Sequence, residues 1–374
     1  MRLILMRNLW LFLPLSIPFF ITGCMQKPSP TSKPTTQQEI TQAPQEESII
    51  LIEDDFVAQE LKIAMILPHK TIGRYAQSTS TAVFSYLLSR QDPFVFKTFT
   101  VTDESKESMQ TALKKIEDEG FNFLIAPVTL KGAKALVETE SQLQIYLPTI
   151  HHHDIDSNSS NIYYGAIDYQ AQIDAVMPLS SFPLVIMYDK SPKGEKLMEM
   201  SKESYIKTQL TPQSQKYKKI YTYAVAKKRS SLQNIFEDNE EIQNGSFFLN
   251  TPFIKSTMIL SQLSLYDITT DNVLSTQINY DPLLFSMTQV RDRKHLYIAN
   301  SITHRDEALL QANAILSNDI NHDWINYSTT VGADLFHHLM TGHARSYNLN
   351  IQEQQVHYPI EILKATQSRF EKVN

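Results

Sequence analysis

Lys62-Ile63-Ala64-Met65-Ile66-Leu67-Pro68 is an unbroken apolar run that stops at a proline. A strand covered by helices on both faces reads this way, because neither face needs polar residues. The next eighty residues decide the class. Tyr75, Thr79, Ala82, Val83, Tyr86 and Leu87 fall on one helical face, and Phe94 to Thr100 reads as a strand. Ser105 to Glu119 is a second amphipathic helix with Met109, Ala112, Leu113 and Ile116 inward, and Gly120 supplies its stop. Phe121 to Pro127 is a third strand, Lys131 to Thr139 a helix, and Gln144 to Pro148 a fourth strand. Strand and helix alternating at this spacing predict an α/β chain with a parallel sheet.

The rhythm then restarts. Asn161 to Ile167 leads into a helix through Met177, Pro183 to Tyr188 is a strand, and Lys193 to Ser204 a helix. Strands are expected near 219–226, 246–250 and 272–278, with helices near 230–236 and 252–263. His295 to Ala299, helices near 305–317 and 327–341, and a closing strand from Gln355 to Ile362 complete the chain. Two βα blocks in series predict two Rossmann-like lobes and a cleft. The first lobe is expected over about 59–155, with returning elements after about 290, and the second over about 160–280.

The first fifty-odd residues have a different character. A basic start with Arg2 and Arg7, an apolar run from Leu9 to Ile21 and small residues before a cut form an export signal. The run is short for a membrane span, which needs ~20 apolar residues. Ile21-Thr22-Gly23-Cys24 resembles a bacterial lipobox, in which cleavage before Cys24 leaves its thiol to carry lipid. The alternative is an ordinary signal peptide, or an uncleaved anchor, with an incidental cysteine. Cys24 is the only cysteine, so no intrachain disulfide and no cysteine zinc cage can form. Met25, rather than Asp, after the cysteine favours the outer membrane by the enteric sorting rule. Residues 26–48 are rich in Pro, Thr, Ser, Gln and Glu, and the lipidated cysteine and a disordered tether are expected over 24–58, with the globular body from residue 59. Such a tether spans about 100 Å when stretched and roughly 30 Å when relaxed.

The whole chain of 374 residues has 34 basic and 40 acidic residues, a net charge of −6, which becomes −8 once residues 1–23 are removed. That balance excludes a general nucleic-acid binder, and the mixed bases and aromatics of Tyr217 to Tyr223 are better read as a strand. Nine glycines with no GxGxxG or P-loop spacing exclude fingerprint-type nucleotide sites. No cofactor is expected.

Phe123 to Leu136, Asn161 to Gln172, Pro183 to Leu197 and Val331 to Leu339 together resemble the type I periplasmic-binding-protein fold. Within it the chain is most similar to the C-terminal domain of the lipoprotein activators of penicillin-binding proteins. Ala126-Pro127-Val128 stands where that family has Gly-Pro-Leu. Members of that family carry a helical-repeat domain before this one, where this chain has the tether. The resemblance implies a non-enzymatic, lipid-anchored envelope protein facing the periplasm, acting through protein contacts on a peptidoglycan synthase. The competing expectation is a solute receptor serving an ABC transporter or a sensor, with a small ligand in the cleft.

In such a fold, ligands sit at the carboxyl ends of the parallel strands. His69, Thr129, His151 and Asp189 are the cleft candidates on that ground. Amino-acid receptors of this fold grip the ligand carboxylate with a Ser/Thr-rich turn at a helix N-terminus; here only Thr129 stands at that place. His151-His152-His153-Asp154 reads as a polar hinge-side loop rather than a metal site, which needs three or four convergent ligands. His337, His338 and His343 read as surface or partly packed residues, since no HExxH accompanies them. No catalytic residue is assigned.

Overall fold

The computed structural model describes residues 60–155, 157, 159–209, 219–228, 231–303 and 306–373. The export signal, Cys24 and the tether lie outside them. The first block runs β1 (Leu61–Leu67), α1 (His69–Ile72), α2 (Tyr75–Arg90), β2 (Phe94–Thr100), α3 (Lys106–Asp118), β3 (Phe123–Ile125), α4 (Leu130–Val137), β4 (Gln144–Leu147) and β5 (Ile162–Tyr164). The second runs α5 (Tyr169–Val176), β6 (Leu184–Asp189), α6 (Pro192–Gln209), β7 (Ile220–Val225), α7 (Gln233–Phe236), β8 (Gly245–Asn250), α8 (Phe253–Leu265), β9 (Thr270–Ser275), α9 (Leu284–Met287), α10 (Val290–Arg293) and β10 (Leu296–Asn300). Then come α11 (Glu307–Ile315), α12 (Trp324–Thr341), β11 (Asn350–Gln352), β12 (Gln355–His357), β13 (Glu361–Ala365) and β14 (Phe370–Lys372).

Two sheets result, each of seven strands, in the orders β11-β12-β5-β4-β3-β1-β2 and β14-β13-β10-β9-β8-β6-β7. The inner strands are parallel. β1 runs between β2 and β3, with Ile63 opposite Phe96 on one side and Phe123 on the other. β6 lies in the same way between β7 and β8. Only β11, β13 and β14 run against their neighbours.

Alternation along β1 divides the first core. Ile63 and Met65 face the side of α2 and α12, whereas Ala64 and Ile66 face α3 and α4. The same period in β6 sends Val185 and Met187 to one face and Leu184 and Ile186 to the other. The strands read as continuous apolar runs because both faces are buried.

The partition between lobes departs from the expected one at three places. β5, expected at the entrance of the second lobe, pairs with β4 and belongs to the first sheet. β10, expected to return to the first lobe, pairs with β9 and closes the second sheet's parallel part. The expected strand from Gln355 to Ile362 is two strands in different sheets, β12 beside β5 and β13 beside β10. Tyr358-Pro359-Ile360 carries the chain between them, and proline there removes a ladder donor. Periodicity reports which residues are buried, not which sheet a strand joins. The chain therefore crosses between the lobes three times: after β5, after β10 and after β12.

A buried polar joint fastens these crossings. The carbonyl oxygen of Gly165 accepts from the Tyr358 hydroxyl at 3.0 Å, and the Ser328 hydroxyl on α12 lies 2.7 Å from the same oxygen and 2.9 Å from that of Pro148. The Tyr146 hydroxyl sits 3.2 Å from that of Tyr358. Burial raises the pKa of Tyr146 to about 12, so its phenol stays protonated at neutral pH. Gln355 donates to the carbonyl of Ala166 at 3.3 Å and accepts from the His152 amide at 3.0 Å. A Cβ on Gly165 would overlap the Tyr146 hydroxyl, so this position requires glycine. Gly165→Ala is expected to destabilise the folded chain by about 1–3 kcal/mol, the range for forced overpacking. Urea unfolding of the variant beside the parent would measure it; an unchanged midpoint would show that the joint yields freely.

Candidate functional site

The carboxyl ends of the parallel strands from both sheets meet at a cleft with two adjoining compartments of about 700 and 770 Å³. Tyr75, Thr149, Ala166, Ile167, Tyr169, Lys193 and Ile325 line both. The first compartment is mainly apolar, walled by Ile72, Val128, Leu130, Ile150, Ile167, Leu197 and Met200. The second is more aromatic and acidic, with Phe253, Tyr280 and Trp324 beside Asp281, Asp319 and Asp323. The cleft is open rather than filled by side chains, and its size suits a small molecule.

The local sequence explains this placement. α4 starts immediately after the Pro127–Thr129 turn, so Thr129 and Leu130 stand at the rim. Asp168 is the N-cap of α5 and accepts from the Ala171 amide at 2.9 Å, which delivers Tyr169 and Gln170 to the opposite wall. Pro192 opens α6 and brings Lys193, Lys196, Leu197 and Met200 to the cleft. Asp323 caps α12, accepting from the amides of Ile325 and Asn326 at 2.9 and 3.2 Å.

The four sequence candidates separate. His69 is exposed on the short α1 and does not line the cleft, whereas Thr71, Ile72 and Tyr75 just after it do. Thr129 lines the cleft, but its amide donates to Glu104 at 2.8 Å and its hydroxyl donates to the other oxygen of the same carboxylate. His151 lines the cleft and is 8% exposed. Asp189 lines neither compartment. Its carboxylate accepts from Ser191 at 3.0 Å, and the Ser191 hydroxyl oxygen accepts from the Gly194 amide at 3.1 Å, at the start of α6. Tyr75, Tyr169, Lys193 and Trp324 were not legible as site residues. Position just after a strand end was the available signal for Tyr75 and Lys193; Trp324 comes from a helix that enters from far along the chain.

The cleft's cations already have partners. Lys196 of α6 reaches Asp154, in the loop after β4, at 2.7 Å and so spans the lobes. Lys193 donates to the Tyr169 hydroxyl at 2.8 Å and lies 4.4 Å from that ring's centre. Exposed pairs of this kind contribute only ~0–1 kcal/mol, so the lobes are latched weakly.

The histidine loop forms a short 3-10 turn over His152–Asp154, and the three rings of His151 to His153 lie 3.9–4.8 Å apart. His151 Nδ1 accepts from the His153 amide at 3.2 Å. Burial, helped by the neighbouring His152 and His153 and opposed by Asp168, lowers the His151 pKa to about 4. A second group joins Asp92, His337 and His343. His337, expected at the surface or partly packed, is more deeply buried than that, 1% exposed on its side chain, and holds Asp92 at 2.6 Å. Each group brings three ligand-type atoms within 4.8 Å. In each, however, one buried histidine nitrogen is engaged in a hydrogen bond within the protein.

A histidine held neutral below its ordinary pKa makes the unfolded chain the better proton acceptor, so stability falls as pH drops. The loss is expected between about pH 6.5 and 4, the window set by the His151 shift. His337, also lowered by burial, adds in the same direction. Thermal midpoints of the parent and His151→Gln, recorded over that window, should diverge, with the parent falling faster. Parallel curves would count against a buried neutral His151.

No protein-family model matches the chain, and no curated protein matches it. Solved structures do. An ABC-type branched-chain amino acid transporter protein from Rhodopseudomonas palustris is 12% identical over 84% of this chain and 96% of its own, with a TM-score of 0.60. The branched-chain amino acid substrate-binding protein LivJ from Streptococcus pneumoniae, in complex with isoleucine, is 9% identical, covers 84% and 99%, and has a TM-score of 0.58. A solute-binding protein of an ABC transporter from R. palustris, in complex with benzoate, is 11% identical, covers 84% and 95%, and has a TM-score of 0.57. At such identities the likeness concerns the fold: two lobes with mostly parallel sheets, of the type I periplasmic-binding-protein kind. Among the described residues no helix is long and apolar enough to cross a membrane.

Proposed function

We propose that the chain is a solute receptor of the bacterial envelope, binding a small molecule between its lobes and presenting the closed form to a transporter or sensor. One observation carries this reading: an open inter-lobe cleft of small-molecule size, at the strand ends where α/β folds bind ligands. The structural neighbours described as solute-binding or substrate-binding proteins support it. The expectation of a regulator of a peptidoglycan synthase rests on sequence resemblance alone, and an open cleft favours the receptor over it. Lys196 of the cleft is paired with Asp154, Lys193 and Arg74 with tyrosine hydroxyls, and Asp168 and Asp323 with backbone amides, an arrangement suited to binding rather than to proton transfer.

Closure would work by population shift. A ligand that touches both walls binds the closed form better and displaces the equilibrium by that difference in affinity. The weak Lys196–Asp154 latch leaves the balance near enough to even for a ligand to decide it.

A thermal-shift screen of small apolar and aromatic solutes should return at least one compound that raises the midpoint saturably, by about 2.7 kcal/mol of added stability at a hundredfold excess over Kd. Leu130→Trp adds bulk at an exposed position of the cleft wall and should weaken that compound at least about tenfold, with the unliganded midpoint unchanged. Flat curves for every compound would remove the receptor reading.

We further propose that the receptor is lipid-anchored through Cys24 on the periplasmic side, at the outer membrane. Cys24→Ser should abolish incorporation of labelled palmitate and move the protein out of the membrane fraction. Retention in the membrane without label would replace the lipid by an uncleaved anchor.

A further inference from the structure

The N-termini of helices attract anions, because the first amides point outward and the backbone dipole is positive there. Four of the helices that begin at the cleft, α4, α5, α6 and α12, carry a carboxylate of this chain at their start; α2 and α8, whose first residues Tyr75 and Phe253 also line it, do not. Asp168 holds α5 and Asp323 holds α12 by direct bonds to their first amides. Asp189 acts on α6 through Ser191. At α4 the carboxylate comes from elsewhere in the chain. Glu104, from the loop after β2, is 3% exposed and takes both the amide and the hydroxyl of Thr129. Gly132 in the first turn of α4 makes room for it: a Cβ there would stand 2.9 Å from the Glu104 carboxyl carbon.

The cations are committed as well. Lys196 pairs with Asp154 and Lys193 with the Tyr169 hydroxyl, while Arg74 bonds the Tyr75 hydroxyl at 3.3 Å within the field of Asp281 and Asp323. Among the described residues, a carboxylate entering beside Thr129 would meet a seated negative charge and no uncommitted donor of that threonine.

We infer that the cleft selects an uncharged, largely apolar ligand, and that Glu104 is the residue that excludes carboxylates by occupying the anion position of α4. The inference rests on the receptor reading and names its ligand class. Isoleucine and benzoate, the ligands in two structural neighbours, are both carboxylates; this cleft is built for the other kind. The first compartment's apolar wall then supplies affinity, and the filled start of α4 supplies discrimination.

The test uses the full-length chain and matched acid–amide probes, benzoate with benzamide and hexanoate with hexanamide, read by thermal shift and calorimetry. The parent should bind the amide of at least one pair tenfold or more tightly than its acid. Glu104→Gln keeps an acceptor for the Thr129 amide while removing the charge, and should shrink that preference to about threefold or less. Glu104→Ala should lower the midpoint, and acetate should restore it saturably where acetamide does not, because acetate refills the vacated anion position. If Glu104→Ala does not fold, Glu104→Gln still decides the charge effect. Equal or tighter binding of the acid by the parent would overturn the inference and leave the receptor standing. Loss of acetate rescue in a folded Glu104→Ala would overturn it too. Rescue by acetate with no probe binding to the parent would instead remove the receptor reading, and with it the ligand class, leaving Glu104 as a cap of α4.

Discussion

The carbonyl oxygen of Gly165 is the point on which the arrangement of this molecule depends. It lies just past the end of β5, where the chain first leaves the first sheet, and it takes hydroxyls from α12 and from the third crossing. Tyr146 closes the same joint from β4. Three other segments thereby converge at this carbonyl, two by direct bonds and β4 through the Tyr358 hydroxyl, and the absence of a side chain on Gly165 is what lets them approach. Buried hydroxyls and carbonyls that satisfy one another in this way are specific in geometry, since each unpaired member would cost about 1–3 kcal/mol. Ala166 and Ile167, the next residues, form the floor of both compartments of the cleft. The joint therefore sets where the two walls can meet.

Around that floor the walls are built by one device repeated. A parallel strand ends, a turn follows, and a helix begins with its positive end toward the cleft. In a receptor for anions this device leaves the helix ends free for the ligand. Here four of the ends, those of α4, α5, α12 and α6, are closed by Glu104, Asp168, Asp323 and the Asp189–Ser191 relay. A shared backbone architecture thus permits opposite electrostatic preferences, and a few side chains choose between them.

The inner strands, the main helices and the two-block organisation were legible because apolar periodicity records burial directly, and both faces of β1 and β6 are buried. Strand partners were less legible. β5 and β10 went to the other sheet from the one expected, and Gln355 to Ile362 concealed a crossing, since an extended apolar segment looks the same in either lobe. Of the candidate residues, Thr129 and His151 do reach the cleft, while His69 and Asp189 do not. Strand-end position puts a residue near the cleft without fixing the direction of its side chain.

The sequence by itself determined the α/β class and the doubled block, because these are local patterns of polarity and spacing. Only the tertiary structure decided that Glu104 belongs to the start of α4, that Ser328 and Tyr358 meet at Gly165, and that Lys196 faces Asp154. Those pairs lie 25 to 193 residues apart. No periodicity links them; the packing of two sheets and the three crossings between them brings each pair within hydrogen-bonding distance.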